Sequence, residues 1–213
     1  MREGSVVFVT FEGPEGSGKT TQIALLERAL HATGRRVVAT REPGGTPIGE
    51  QIRAVLHAHE NVALVPAAEI LLYAADRAQH VREVVVPALQ RGDIVLSDRY
   101  AESTLAYQGY GRGLDMEALR HITAFATGGL RPDLVIYLDL DVELGLQRKR
   151  RAQALGRGEW NRMDEQATAF HQRVRTGYLT MAAEDPERWL VIDATRSIEA
   201  VHRVIYERIE TML

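Results

Sequence analysis

Gly13-Pro14-Glu15-Gly16-Ser17-Gly18-Lys19-Thr20 constrains this chain more than any other stretch, because it fits G-x-x-x-x-G-K-[ST] at every fixed position. Its surroundings fit too. The run Val6-Val7-Phe8-Val9-Thr10-Phe11 reads as a strand buried on both faces. From Thr20 to Ala32, apolar Ile23, Leu26 and Leu30 recur at a helical spacing until Gly34 stops them. A strand, a glycine turn and a helix N-terminus make an anion cradle. Glycines let backbone N–H groups converge on phosphate oxygens, and the helix end adds free donors and a positive dipole. Lys19 is placed for β- and γ-phosphates and the Thr20 hydroxyl for Mg²⁺, so Gly13 through Thr21 form the expected nucleotide-binding segment.

Downstream, strand-like and helix-like segments alternate. Arg36–Thr40, Asp93–Ser97, Leu134–Leu140 and Trp189–Ile192 read as further strands. Helical patterns fall after Pro43-Gly44-Gly45, where Ile48, Ile52 and Val55 are spaced for a helix, and over Pro66–Val86, ending near Pro87. They recur over Met116–Ala126, Val142–Ala154, Gln166–Ala183 and Ser197–Met212. This order predicts an α/β chain of the P-loop NTPase type: three layers, with a five-stranded parallel sheet flanked by helices. Ligands of such sheets lie beyond the carboxyl ends of the strands.

The 213 residues suit one domain. Arg148–Arg162 carries six basic residues and two glycines with few apolar anchors, and reads as a mobile lid, about 148–164, within it. A net charge of −3 argues against a general nucleic-acid binder. The chain has no cysteine, so disulfides and thiolate metal sites are excluded. No apolar run approaches a bilayer span, and no signal-peptide core precedes the first strand, which reads as cytoplasmic. All but two of the 26 basic residues are arginine, which makes Lys19 conspicuous. No lysine follows an asparagine, so the base-reading motif of a GTPase is missing.

Other residues have two readings each. Tyr73 and Arg77 share a helix face, where they could stack on a flat base and donate to its carbonyl, or be a half-buried tyrosine and a surface arginine. Asp98 and Arg99 end a buried strand beside the cradle. They could serve Mg²⁺ and phosphate, or form a strand-ending ion pair. Arg53 fits a phosphate ligand or a solvated helix face, and Tyr107 a ribose wall or a core ring. Gln108 can pair with a base edge. His57 and His59 lack a third metal ligand at a suitable spacing and read as a solvated helix end.

Phe11-Glu12-Gly13 through Thr21, Thr40-Arg41-Glu42-Pro43-Gly44-Gly45-Thr46 and Leu72-Tyr73-Ala74-Ala75-Asp76-Arg77 together resemble bacterial thymidylate kinases. So do Ser97-Asp98-Arg99-Tyr100 with Ala106-Tyr107-Gln108-Gly109, then Asn161-Arg162-Met163-Asp164 and Ile192-Asp193-Ala194. The resemblance implies transfer of the ATP γ-phosphate to dTMP, with Mg²⁺ and in a homodimer. It places Glu42 and Arg53 near the acceptor phosphate, with Glu42 orienting an arginine, a water or Mg²⁺. Thr104 falls at the thymine edge, and Glu15 is expected to accept from the sugar 3′-hydroxyl. The lid would supply an arginine to the transferred group, with Arg157 and Arg162 the candidates. Another nucleoside monophosphate kinase, or an ATP-binding regulatory module, would share the cradle but not the whole acceptor set.

Overall fold

Side chains alternate across each strand, and in this chain both faces are apolar. The computed structural model describes residues 7–156 and 160–213. Val9, Phe11, Leu96, Leu134 and Ile136 point to one side of the sheet, where they meet Leu26 and Leu30 of one helix and Val201, Ile205 and Ile209 of another. Phe8, Val95, Val135 and Tyr137 point to the other, against Val81 and Val85 in one cluster and Val174, Tyr178 and Met181 in a second. Each large apolar side chain fully buried this way contributes about 1.5–3 kcal/mol relative to exposure. A sheet greasy on both faces must be covered on both, which dictates the three layers.

Among the described residues the strands are β1 (Phe8–Glu12), β2 (Val37–Arg41), β3 (Ile94–Asp98), β4 (Leu134–Asp139) and β5 (Trp189–Asp193). They form one five-stranded sheet in the order β2-β3-β1-β4-β5, every pair parallel. The helices are α1 (Lys19–Ala32), α2 (Pro47–His57), α3 (Pro66–His80), α4 (Val86–Gln90), α5 (Ala101–Thr104), α6 (Met116–Thr127), α7 (Val142–Ala154), α8 (Thr168–Glu184) and α9 (Ile198–Glu210). The carboxyl ends of β1, β2 and β3 lie side by side, with Phe11 and Arg41 both in register with Asp98. The loops that leave them open on one edge.

Two segments depart from the helical patterns read in the sequence. The helix expected to end near Pro87 continues to Gln90, because Val81–Val85 forms π turns, with Val86 N–H donating to Val81 O five residues back. A wider turn shifts the carbonyl that a proline ring strikes in a regular helix, so the chain absorbs Pro87 without breaking. The second π segment, Leu105–Gly111, follows α5 directly. It carries Tyr107 and Gln108. The segment expected to be a lid begins inside α7, since Arg148–Ala154 is regular helix.

No helix among the described residues is long and apolar enough to cross a membrane.

Candidate active site

The cradle forms where β1 turns into α1. Gly18 caps α1 with φ 95°, a left-handed conformation that suits glycine. Gly16 is required for a different reason: a Cβ there would fall 2.4 Å from Gly145 O on α7. The close approach of Gly145, whose own Cβ would sit 2.5 Å from Glu15 O, seats α7 against the loop. Lys19 is buried, and its Nζ donates to Gly13 O and Pro14 O at 3.1 Å each. Burial, with the Arg99 charge next, pulls its pKa down, opposed by Asp98 and Glu15. Thr20 Oγ1 donates to Asp98 Oδ2 at 3.1 Å, so the two residues expected at a metal meet directly.

Arg99 stands between the cradle and the rest of the site. Its φ of 73° is the left-handed value of a non-glycine residue. Its Nη2 pairs with Glu15 Oε1 and donates to Tyr107 OH at 3.1 Å, and its guanidinium lies 5.0 Å from the Tyr107 ring centroid. Glu15 also accepts from Lys149 Nζ at 3.0 Å. Burial would raise the Glu15 carboxyl, but Arg99, Lys149 and Lys19 together hold it well below the usual carboxylate range. Behind Arg99, the buried Glu12 carboxyl is pushed up to about 7, by burial first, with Arg99 opposing and Glu102 adding to the rise.

A cavity of about 500 Å³ joins these groups to the second cluster. Its wall includes Glu15, Gly16, Gly18, Lys19, Thr20, Thr21, Asp98 and Arg99, and also Glu42, Arg53, Tyr73, Arg77, Thr104, Tyr107 and Gln108. The chemistry of this wall depends on how it is braced. Arg77 donates from Nε to Glu42 Oε2 (2.7 Å), from Nη1 to Thr104 Oγ1 (2.8 Å) and from Nη2 to Tyr100 O (2.8 Å). Glu42 also bonds His80 Nδ1 at 2.8 Å. Arg77 is therefore no surface arginine; it is buried and braces two loops. Gln108 turns its amide nitrogen to Glu69 Oε1 at 3.0 Å. Arg53 Nη1 donates to Pro43 O at 3.0 Å.

The structure does not bring Arg162 to the cavity. Its Nη2 donates to Glu69 Oε2 at 2.6 Å and its Nε to Leu56 O at 3.2 Å, because a carboxylate buried to 0% exposure demands donors nearby. Arg157 lies outside the described residues. The basic residues of this segment that do line the cavity are Arg148 and Lys149. His57 lines it as well, while His59, just past the end of α2, stays exposed and contacts Trp160 O and Glu165 at 3.0 Å each, as a solvated helix end can.

Several site groups escaped the sequence reading. Glu69 gathers Gln108, Arg112 and Arg162 on one carboxylate, and its spacing was legible, one turn before Tyr73 on the face that also carries Arg77. Lys149 carried a compositional signal as the second of two lysines. Ser103 and Tyr178, both beside Arg99, carried none.

A family profile described as thymidylate kinase matches residues 11–205. The chain belongs to the thymidylate kinase family. Its activity is the family's, ATP-dependent phosphorylation of dTMP. Thymidylate kinase of Roseiflexus sp. is 53% identical over 214 residues, covering 97% of this chain and 95% of that one. That of Deinococcus radiodurans is 53% identical over 200 residues, covering 94% of each. A crystal structure of thymidylate kinase from Ehrlichia chaffeensis superposes with a TM-score of 0.76 at 32% identity, over 97% of this chain and 99% of that one. The α/β architecture and sheet order are thus those of a thymidylate kinase.

Proposed function

We propose that ATP binds at the Gly13–Thr21 end of the cavity and dTMP at the Tyr73–Gln108 end, with Arg99 contacting both the transferred and the acceptor phosphates. The observation that supports this is the single cavity: one phosphate cradle, one aromatic and polar wall, and a buried arginine between them. The acceptor nucleophile is a phosphate oxygen, and a phosphomonoester is largely dianionic at neutral pH, its second pKa being ~6. No strong base is needed. Catalysis consists of aligning two polyanions and meeting the charge that spreads over the transferred group. Lys19 and Arg99 supply fixed charge, and Lys149, held on Glu15, adds more from α7. Glu15 orients both cations and, lining the same cavity, accepts from the sugar 3′-hydroxyl. Arg53 faces the acceptor phosphate.

The Thr20 hydroxyl and Asp98 carboxylate, 3.1 Å apart at the cradle, suit Mg²⁺, which takes few protein oxygens and completes its shell with phosphates and water. Bound there, Mg²⁺ would supply charge neutralisation for the nucleotide phosphates. On the acceptor side, Tyr73 stacks on thymine, Arg77, Thr104 and Gln108 present the polar edge, and Tyr107 crowds a ribose 2′-hydroxyl. Residues around 148–164 serve as the lid. Exposed apolar side chains on α2, α3 and α6 support a homodimer, and the use of ATP and dTMP supports a cytoplasmic location.

Steady-state kinetics with dTMP, dUMP, CMP and the ribo form of TMP as acceptors test the acceptor reading. The expected order puts dTMP first, with ribo-TMP at least about tenfold lower in kcat/KM. Equal use of the ribo and deoxy forms would remove the role given to Tyr107.

A further inference from the structure

Glu12 ends β1 and has no solvent exposure, yet it is a carboxylate. Its hydrogen-bonding partners all belong to the surroundings of Arg99. Oε1 accepts from Tyr100 N–H at 2.9 Å. Oε2 accepts from Ser103 Oγ and from Tyr178 OH, each at 2.6 Å. Those two hydroxyl oxygens lie 3.3 and 3.4 Å from Arg99 Nη1.

The backbone contact matters because Arg99 has φ 73°. Its own N–H donates to Phe11 O, its carbonyl accepts from Ser97 Oγ, and the next N–H is the one held by Glu12. The side-chain contact matters because a guanidinium has donors and no acceptor. Each hydroxyl has one hydrogen. When both give it to Glu12, both turn lone pairs toward Arg99. Were they to donate elsewhere, a hydrogen would face the cation.

We propose that Glu12 is the positioning residue of Arg99, pinning the backbone that follows it and orienting the Ser103 and Tyr178 hydroxyls as acceptors for its guanidinium. This rests on the reading that Arg99 meets the phosphates. It makes Glu12 important to the chemical step although Glu12 touches no substrate.

A double-mutant cycle on single-turnover phosphoryl transfer, with calorimetry for dTMP, separates the possibilities. Glu12→Gln fills the same space without the charge. It is expected to slow transfer at least about tenfold while the dTMP Kd moves less than about threefold. In an Arg99→Ala background the same change should slow transfer less than about twofold, because the group it positions is gone. An equal factor in both backgrounds, or no slowing in the parent, overturns the proposal. Should Glu12→Gln melt early, Tyr178→Phe carries the test. A loss of about threefold that vanishes without Arg99 supports the proposal, and an additive loss overturns it. An Arg99→Ala enzyme as fast as the parent would overturn the reading of Arg99 itself, a result distinct from additivity.

Discussion

Arg77 does two jobs with one guanidinium: it lines the end of the cavity proposed for dTMP and it compensates the buried Glu42. Truncating it strands a carboxylate with His80 as its remaining partner. Breaking a buried pair from one side costs about 3–5 kcal/mol. Arg77→Ala should therefore lower Tm by at least about 6 °C, by differential scanning calorimetry, as well as raising the dTMP KM. A raised KM with an unchanged Tm would mean that Arg77 reads base and braces nothing. The neighbouring Asp76 carries the opposite kind of strain. Burial, then the Glu42 charge, pushes its carboxyl up to about 7, and its Oδ2 has no partner among the described residues. A carboxyl raised in the folded chain contributes stability that is full below about pH 4 and is lost as pH climbs through about 7. Asp76→Asn keeps the acceptor for Gly44 N–H, 2.8 Å away, and removes the charge. The variant should gain stability relative to the parent as pH rises from 5 to 8, by up to about 3 kcal/mol. Glu12, also raised to about 7, has the same sign, so the parent's slope should shrink without disappearing. Urea melts at several pH values measure this, and parallel curves for the two proteins would refute it.

At the scale of elements, the sheet and the cradle were legible because each rests on local pattern. Doubly apolar strands force a covered parallel sheet, and the glycine spacing of Gly13–Thr20 forces a cradle. What was not legible depends on contacts between distant segments. Nothing around Glu42 announces that it meets Arg77 and His80, thirty-five and thirty-eight residues later. Nor does arginine density show which cations of 148–162 line the cavity. That is decided by Gly145, which lets α7 lie on the cradle and sets Lys149 against Glu15, and by Glu69, which captures Arg162. These placements predict a split between two variants. Lys149→Ala should slow the chemical step about tenfold or more, measured by rapid quench, since it removes charge beside the cradle. Arg162→Ala should slow it less than about threefold and lower Tm by a few degrees, because Glu69 retains Arg112 and Gln108 but loses one donor. The reverse pattern would return the finger role to Arg162.

At the scale of the molecule, α3 joins the proposed acceptor site to an outer surface. One side of it carries Tyr73 and Arg77 to the cavity, with Glu69 buried one turn earlier, while Leu71 stands 59% exposed. The helices packed beside α3 are exposed in the same way: Phe125 on α6 is 90% exposed, and Ile48 and Val55 on α2 about half. Large apolar groups on three neighbouring helices are what an isologous interface between two copies requires. Burying them would also stiffen α3 from outside, so dimerisation and acceptor binding should be coupled through that helix. The parent is expected to sediment at twice the 23.8 kDa chain mass at micromolar concentration. Phe125→Glu, which places a charge on that surface and nothing in the cavity, should shift it to the monomer. Its Tm should fall and lose its dependence on protein concentration. The dTMP KM should rise while ATP binding stays within about threefold, because α3 and not the cradle loses its support. A parent that sediments as a monomer, or a variant that remains dimeric with an unchanged KM, would show that this surface does not hold two copies together.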